Sequence, residues 1–240
     1  MESNISKSIK YYQNLKELHK GKRGFVIGNG PSLKIKDLDL LENDITIASN
    51  KIFLAFKKTK WRPQYYTVAD PLLWEKIKSE VSRYFATIHI PSYLKLEMAD
   101  KELNLKIWQH SQPPTQGRYF SDDCSKIVYG GGTVTFENLQ FAVHLGLNPI
   151  YLIGCDHFYK GEESFTKSKV VTHQGLSNHF IENYRVEGEE VYSADIDFMN
   201  RSYNEAALFA KKYNIQIINA SRESELNCFR RCDFNQLFKQ

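Results

Sequence analysis

The absences in this 240-residue chain narrow its chemistry before any motif is considered. Its four cysteines, Cys124, Cys155, Cys228 and Cys232, are too widely or wrongly spaced for a zinc knuckle and read as reduced thiols. No His-x-x-x-His pair, Cys/His cluster or EF-hand loop is present, which argues against an all-protein metal cage. No Gly-x-Ser-x-Gly elbow is present either, which argues against a covalent hydrolase. No apolar run approaches the roughly 20 residues of a membrane span, so the chain is expected to be soluble and cytoplasmic. A peripheral contact with the inner face of the cell membrane stays open. With no Pro/Gly/Ser-rich linker, a single domain is expected, and a net charge of +4 falls far short of a nucleic-acid footprint.

Apolar residues at 42% and charged residues at 25% suffice for a packed core, so order is expected outside the ends and one loop. The basic cluster Lys57, Lys58, Lys60 and Arg62 reads as a solvated helix end rather than a phosphate- or lipid-facing patch.

Ile5, Ile9, Tyr12 and Leu15 recur at helical spacing and predict an N-terminal helix within residues 1–22, stopped at Gly21. Residues 23–240 then alternate short β-rich runs with helical patterns. The runs are 25–27, 45–48, 65–68, 86–90, 105–108, 150–153 and 215–218; the helices are 71–84, 133–145 and 197–213. Such alternation predicts an α/β, Rossmann-like, doubly wound and mostly parallel sheet, with ligands beyond the carboxyl ends of its strands. Residues from about 157 to 195 show weak periodicity and predict a lid-like insertion.

The strand ends therefore supply the candidate site. Gly28-Asn29-Gly30-Pro31-Ser32 follows the first strand, and a glycine turn there brings backbone N–H groups within reach of a phosphate or nucleotide. It is neither a Walker loop nor a full dinucleotide fingerprint. Gly130-Gly131-Gly132-Thr133 leads into a helix whose positive end would face the same rim. Asn50 and Asp70 close two further strands, and either could equally be a turn former or a cap. Gly154, Cys155 and Asp156 close another. Of the seven histidines, His19, His89, His110 and His144 fall in helix or strand patterns and read as packing or surface residues. His157 and His179 are better placed, and a histidine with an ordinary pKa of about 6.5 suits general-base work.

The ordered set Gly28 to Leu33, Ala48-Ser49-Asn50, Ala69-Asp70-Pro71, Gly131 to Thr135, Leu145-Gly146 and Ile150 to Asp156 resembles the "domain of unknown function 115" superfamily. Asn178-His179-Phe180, Ile218-Asn219-Ala220 and the stretch from Phe229 to Phe238 extend the likeness over nearly the whole chain. That group includes archaeal 6-hydroxymethylpterin diphosphokinases and the motility accessory factors that glycosylate flagellin. The same landmarks are similar to those of small bacterial sialyltransferases that use cytidine monophosphate (CMP) sugars, a metal-independent inverting group with a Rossmann-like fold. The resemblance implies that Asn29, Asn50 and Gly131-Gly132-Thr133 hold the nucleotide and that Tyr159 steadies the leaving phosphate. Asp70 stands where that group has asparagine. Asn183 stands where it has its base histidine, so His179, or else Asp156, becomes the expected proton acceptor.

The expected function is transfer of a nonulosonic-acid or Kdo-type sugar from a CMP donor to a surface glycan or glycolipid. Its partners would be a nucleotide sugar and a glycan acceptor, with no nucleic acid and no resident cofactor or metal; a homo-oligomer stays open. The alternatives are a pyrophosphokinase using ATP and magnesium held by Asp70 and Asp156, and a nucleotide-binding scaffold without catalysis.

Overall fold

The computed structural model describes residues 4–94, 96–97, 103–114, 117–159 and 168–239. Eight strands form one sheet: β1 (Gly24–Ile27), β2 (Ile45–Ser49), β3 (Tyr65–Thr67), β4 (Ile88–Pro91), β5 (Leu105–Trp108), β8 (Ile150–Ile153), β11 (Ile217–Asn219) and β12 (Arg230–Arg231). Their order is β12-β11-β8-β1-β2-β3-β4-β5, and every neighbouring pair is parallel. From β1 the chain steps outward through β5, then returns to the other side of β1 as β8. The strand order thus reverses between β1 and β8, which is where an open α/β sheet leaves a ligand crevice.

Both faces of the sheet are covered, giving two apolar cores and confirming the doubly wound α/β class. One core lies under α1 (Asn4–Leu15), α4 (Val134–His144) and α5 (Ile196–Lys212) and is built on Tyr12, Phe136, Phe141 and Tyr203. The other lies under α3 (Pro71–Val81) and the 3-10 turns from Asn50 to Lys57, with Phe53, Leu73, Trp74 and Ile77. A short helix, α2 (Ile35–Leu38), adds Leu38 to it. The Phe25-Val26-Ile27 run is buried on both faces because β1 is central.

Local sequence explains where the helices begin. Asp70 caps α3 by accepting the Leu73 N–H at 3.1 Å, with Pro71 in the first turn. Thr133 caps α4 and Asp195 caps α5, through the Thr135 and Phe198 N–H groups. Helix α4 is buried from Thr135 to His144 despite its polar residues. Gln140 and His144 act as pins: Gln140 bonds the backbone of Ser121 and Tyr129, and His144 that of Cys124 and Tyr12.

The expected insertion is more structured than its periodicity implied. It carries the antiparallel pair β9 (Val170–Thr172) and β10 (Glu190–Tyr192), while residues 160–167 of it lie outside the described residues. A two-stranded parallel pair, β6 (His110–Ser111) with β7 (Val128–Tyr129), was likewise not expected. Lys57, Lys58, Lys60 and Arg62 are exposed at the end of the 3-10 segment, as a solvated cluster should be. Among the described residues no helix is long and apolar enough to cross a membrane, and the four cysteines are free.

Candidate active site

Two connected compartments open beyond the carboxyl ends of the strands. The smaller, about 170 Å³, is lined by the turns after β1 and β8 and by Asn50, Thr133 and His179. The larger, about 440 Å³, is lined by Asp70, Tyr93, His110, Gly130 to Thr133, Glu137 and Arg185. Asn50, Thr133, Tyr159, His179 and Arg185 line both.

The first glycine turn works differently from its sequence-level expectation. The Gly28 N–H donates to the Ile153 carbonyl at 2.8 Å and the Gly30 N–H to the Gly154 carbonyl at 2.9 Å. The Ser32 N–H donates to Asp156 Oδ2 at 2.7 Å, and the Ser32 hydroxyl donates to Oδ1. These donors are therefore occupied within the fold rather than bare. A Cβ at Gly28 would lie 2.3 Å from the Gly154 carbonyl oxygen, and one at Gly30 would lie 2.6 Å from the Asp156 carboxyl carbon. The glycines splice β1 to β8 at the switch point, with Pro31 on the compartment wall.

What the splice presents to the small compartment is side-chain polarity. Asn29 Nδ2 donates to the Ser49 carbonyl at 3.2 Å, which fixes the amide, and its Oδ1 is buried without a partner. Asn50, at φ 56°, likewise has a buried Oδ1 without a partner. His157 gives Nε2 to Asn200 Oδ1 at 2.7 Å and leaves Nδ1 buried and unpaired. Three acceptor-capable atoms from three strand ends thus lack partners around one cavity, a concentration that buried polar atoms normally avoid.

In the larger compartment, each glycine of the triplet has its own steric reason. A Cβ at Gly130 would lie 2.7 Å from His110 Nε2, one at Gly131 would overlap the Phe136 ring at 2.2 Å, and Gly132 has φ +75°. His110, expected to be a packing or surface residue, instead lines the floor together with Glu137, their Nε2 and Oε1 4.0 Å apart. Burial holds the His110 pKa down at about 4 and pushes Glu137 up to about 8, so both are neutral near pH 7.

The insertion folds over the rim. The Phe180 N–H donates to the Asn29 carbonyl at 3.0 Å, and Lys51 Nζ donates to the Tyr184 carbonyl at 2.6 Å. His179 stacks on Tyr184 with ring centroids 3.8 Å apart. Burial first, then Arg185 and His173 and Lys51, depress its pKa to about 3. Arg185, absent from the sequence-level candidates, reaches Glu189 at 3.4 Å and Asp70 at 3.6 Å with its side chain 13% exposed. Among the described residues it is the cation shared by the two compartments.

The structure therefore brings Asn29, Asn50, Thr133, Gly154, Asp156, Tyr159 and His179 to one small cavity, and Asp70, Gly131 and Gly132 to the adjoining one. Asp70 and Asp156 do not share a compartment, and both are engaged: Asp70 as a cap facing Arg185, Asp156 by Ser32. Burial raises the Asp156 pKa, partly offset by Ser32. Among the described residues no cluster of three His, Cys, Asp or Glu could hold a metal ion.

A family model described as "6-hydroxymethylpterin diphosphokinase MptE-like" matches residues 1–162. Among solved structures, the sialyltransferase CstII from Campylobacter jejuni, in complex with the substrate analogue CMP-3FNeuAc, is similar at a TM-score of 0.48 and 14% identity. The match covers 88% of this chain and 85% of that one. A likeness that distant carries no correspondence of residues. No curated protein matches.

Proposed function

Since this chain belongs to the 6-hydroxymethylpterin diphosphokinase MptE-like family, we propose that its two compartments serve a nucleotide-dependent transferase, the small one holding the nucleotide. The observation that carries this reading is the set of unpartnered acceptors, Asn29 Oδ1, Asn50 Oδ1 and His157 Nδ1, around that cavity. Such atoms match the exocyclic amine of a base and the hydroxyls of a ribose, and their desolvation is repaid only when those donors arrive. The cytosine amine of CMP is the donor this set is proposed to read. Arg185 and the N-terminus of α4 lie where the two compartments join, suited to a phosphate between nucleotide and transferred group.

The reaction proposed is transfer of a nonulosonic-acid or Kdo-type sugar from its CMP donor to a glycan hydroxyl. The acceptor oxygen attacks the anomeric carbon as the bond from that carbon to the phosphate oxygen breaks. CMP leaves with the electron pair, Tyr159 and Arg185 stabilise its phosphate, and His179 takes the acceptor's proton. Unliganded, His179 is a weak base because of burial and nearby cations; a phosphate beside Arg185 offsets part of that charge and raises its basicity.

The family description favours a second reading, pyrophosphoryl transfer from ATP with magnesium. The division of Asp70 and Asp156 between compartments weighs against a magnesium site made from that pair. Calorimetry with CMP and with ATP, each with and without magnesium, separates the two. CMP binding without metal is expected. Failure of every cytidine nucleotide to bind overturns the first reading, and magnesium-dependent AMP formation establishes the second.

A further inference from the structure

Helix α4 buries five polar side chains, and Gln140 and His144 among them are pinned to backbone groups on both ends of their polar functions. Glu137 is different. Its carboxyl is buried, its Oε2 has no partner, and it lines the larger compartment rather than a packed seam. A buried carboxyl oxygen without a partner is costly unless something serves it. His110 Nε2 lies 4.0 Å from its Oε1, with the imidazole side chain itself only 6% exposed.

The surroundings of this pair are specific. The Tyr93 ring meets the His110 ring edge to face, with centroids 4.5 Å apart and planes at 82°. Tyr93 is anchored by its hydroxyl to the Ala69 carbonyl at the end of β3, at 2.5 Å. Gly130 leaves room for the imidazole on its other side, held by its N–H to the Ser111 carbonyl at 2.9 Å. Gln112 also lines the compartment. Arg185, the arginine that lines it among the described residues, is engaged by Asp70 and Glu189. Among the described residues the floor thus offers a carboxyl, an imidazole and an amide, with no cation beside them.

We propose that Glu137 and His110 form the specificity floor of the larger compartment, hydrogen-bonding adjacent hydroxyls of an uncharged polyol group on the second substrate and rejecting ammonium- or carboxylate-bearing analogues. The inference rests on the reading of the small compartment as the nucleotide site, and it deepens that reading by naming what the other compartment selects. A carboxyl and an imidazole that are both neutral can each donate and accept, which matches a hydroxyl. A carboxylate would require a cation, which the described floor lacks; an ammonium would have to draw the proton off Glu137, whose pKa of about 8 lies above neutral, in addition to its own desolvation.

The test is saturation-transfer NMR on the full chain, with and without CMP. The probes are a panel of methyl glycosides in matched sets: neutral hexosides, their 2-amino counterparts and their uronic-acid counterparts. Neutral members are expected to bind, and the charged counterparts to fail to displace them. Glu137→Leu and His110→Ala are each expected to weaken neutral glycosides about tenfold or more, the loss of a buried hydrogen-bonding group. Glu137→Gln, which keeps shape and hydrogen bonding, should retain most binding, and CMP affinity should be unchanged in all three. A preference for charged glycosides, unchanged binding in Glu137→Leu, or no neutral glycoside bound by CMP-saturated protein overturns the proposal. If CMP does not bind but neutral glycosides do so through Glu137, the nucleotide reading fails and this one stands. If Glu137→Leu does not fold, His110→Ala and Glu137→Gln carry the same test.

Discussion

Glu137→Gln isolates one buried ionisation, and its effect on stability has a sign and a pH window fixed by the structure. In the unfolded chain this glutamate titrates near 4.5; in the fold, burial raises it to about 8, with the Trp108 indole pulling it down only in part. Between those values the unfolded chain has released the proton and the folded one still holds it, so stability falls as pH rises. The slope is about 1.4 kcal/mol per pH unit. His89, His110 and His179 have folded pKa values of about 3, 4 and 3, so their own cost appears only as pH falls below about 6.5. The interval from pH 6.5 to 8 therefore reports Glu137 without them, and it amounts to about 2 kcal/mol. Urea unfolding followed by tryptophan fluorescence at several pH values should show the wild type losing that stability across the interval relative to the glutamine variant. From about pH 9 upward, once the folded carboxyl has also ionised, the two curves should run parallel. Parallel curves from pH 6.5 onward would refute the reasoning, because they would mean that the folded protein accommodates the ionised carboxylate at no cost.

Arg185→Gln should weaken CMP binding by roughly 10- to 100-fold, the worth of a charge-assisted contact to phosphate, with the fold intact by circular dichroism; unchanged affinity in calorimetry would remove Arg185 from the phosphate site. His179 in the free protein should titrate by NMR at about 3 and shift upward on addition of CMP as phosphate offsets Arg185 and Lys51. His179→Ala should lower kcat far more than it changes CMP affinity, and unchanged turnover would rule out its role as base. Gly28→Ala should destabilise the protein by about 3 kcal/mol or more, since its Cβ would meet backbone, not a movable side chain, 2.3 Å away. Urea unfolding checks this, and a change below about 1 kcal/mol would mean that the β1–β8 splice is looser than described.

The doubly wound sheet was legible because fully buried parallel strands need unbroken apolar runs, and Phe25-Val26-Ile27 and Ile150 to Ile153 supply them. Strand-end amides were legible for the same reason, since Asn29 and Asn50 follow such runs directly. The purpose of Gly28 and Gly30 was not, because a turn that serves a phosphate and a turn that splices two strands use the same residues. Only the positions of Gly154 and Asp156 tell them apart. His110 and Glu137 were hidden by periodicity. Polar residues at 137, 138, 140 and 144 make α4 look half exposed, whereas the sheet, α1 and α5 enclose it. Arg185 was hidden by the insertion, whose weak pattern gives no clue that its middle docks on Asn29 and Lys51.

These corrections move the chemistry of the site from backbone to side chains and divide it by charge. With the Gly28, Gly30 and Ser32 donors occupied, the β1 turn offers an anion little; among the described residues Arg185 is the cation that lines the cavity, with Lys51 near it under the insertion. Both are held by Glu189, Arg185 also by Asp70, and both lower the His179 pKa after burial has done so. Under the proposed reading, a bound phosphate would do two things at once: it would compete with those carboxylates for the cations and make His179 more basic. Coupling of that kind would favour a site competent to take the proposed acceptor's proton only after the donor is in place, and would restrain proton abstraction in the empty protein. The floor at Glu137 and His110 lies apart from these cations, so the proposed selection of the second substrate would be independent of the state of the phosphate.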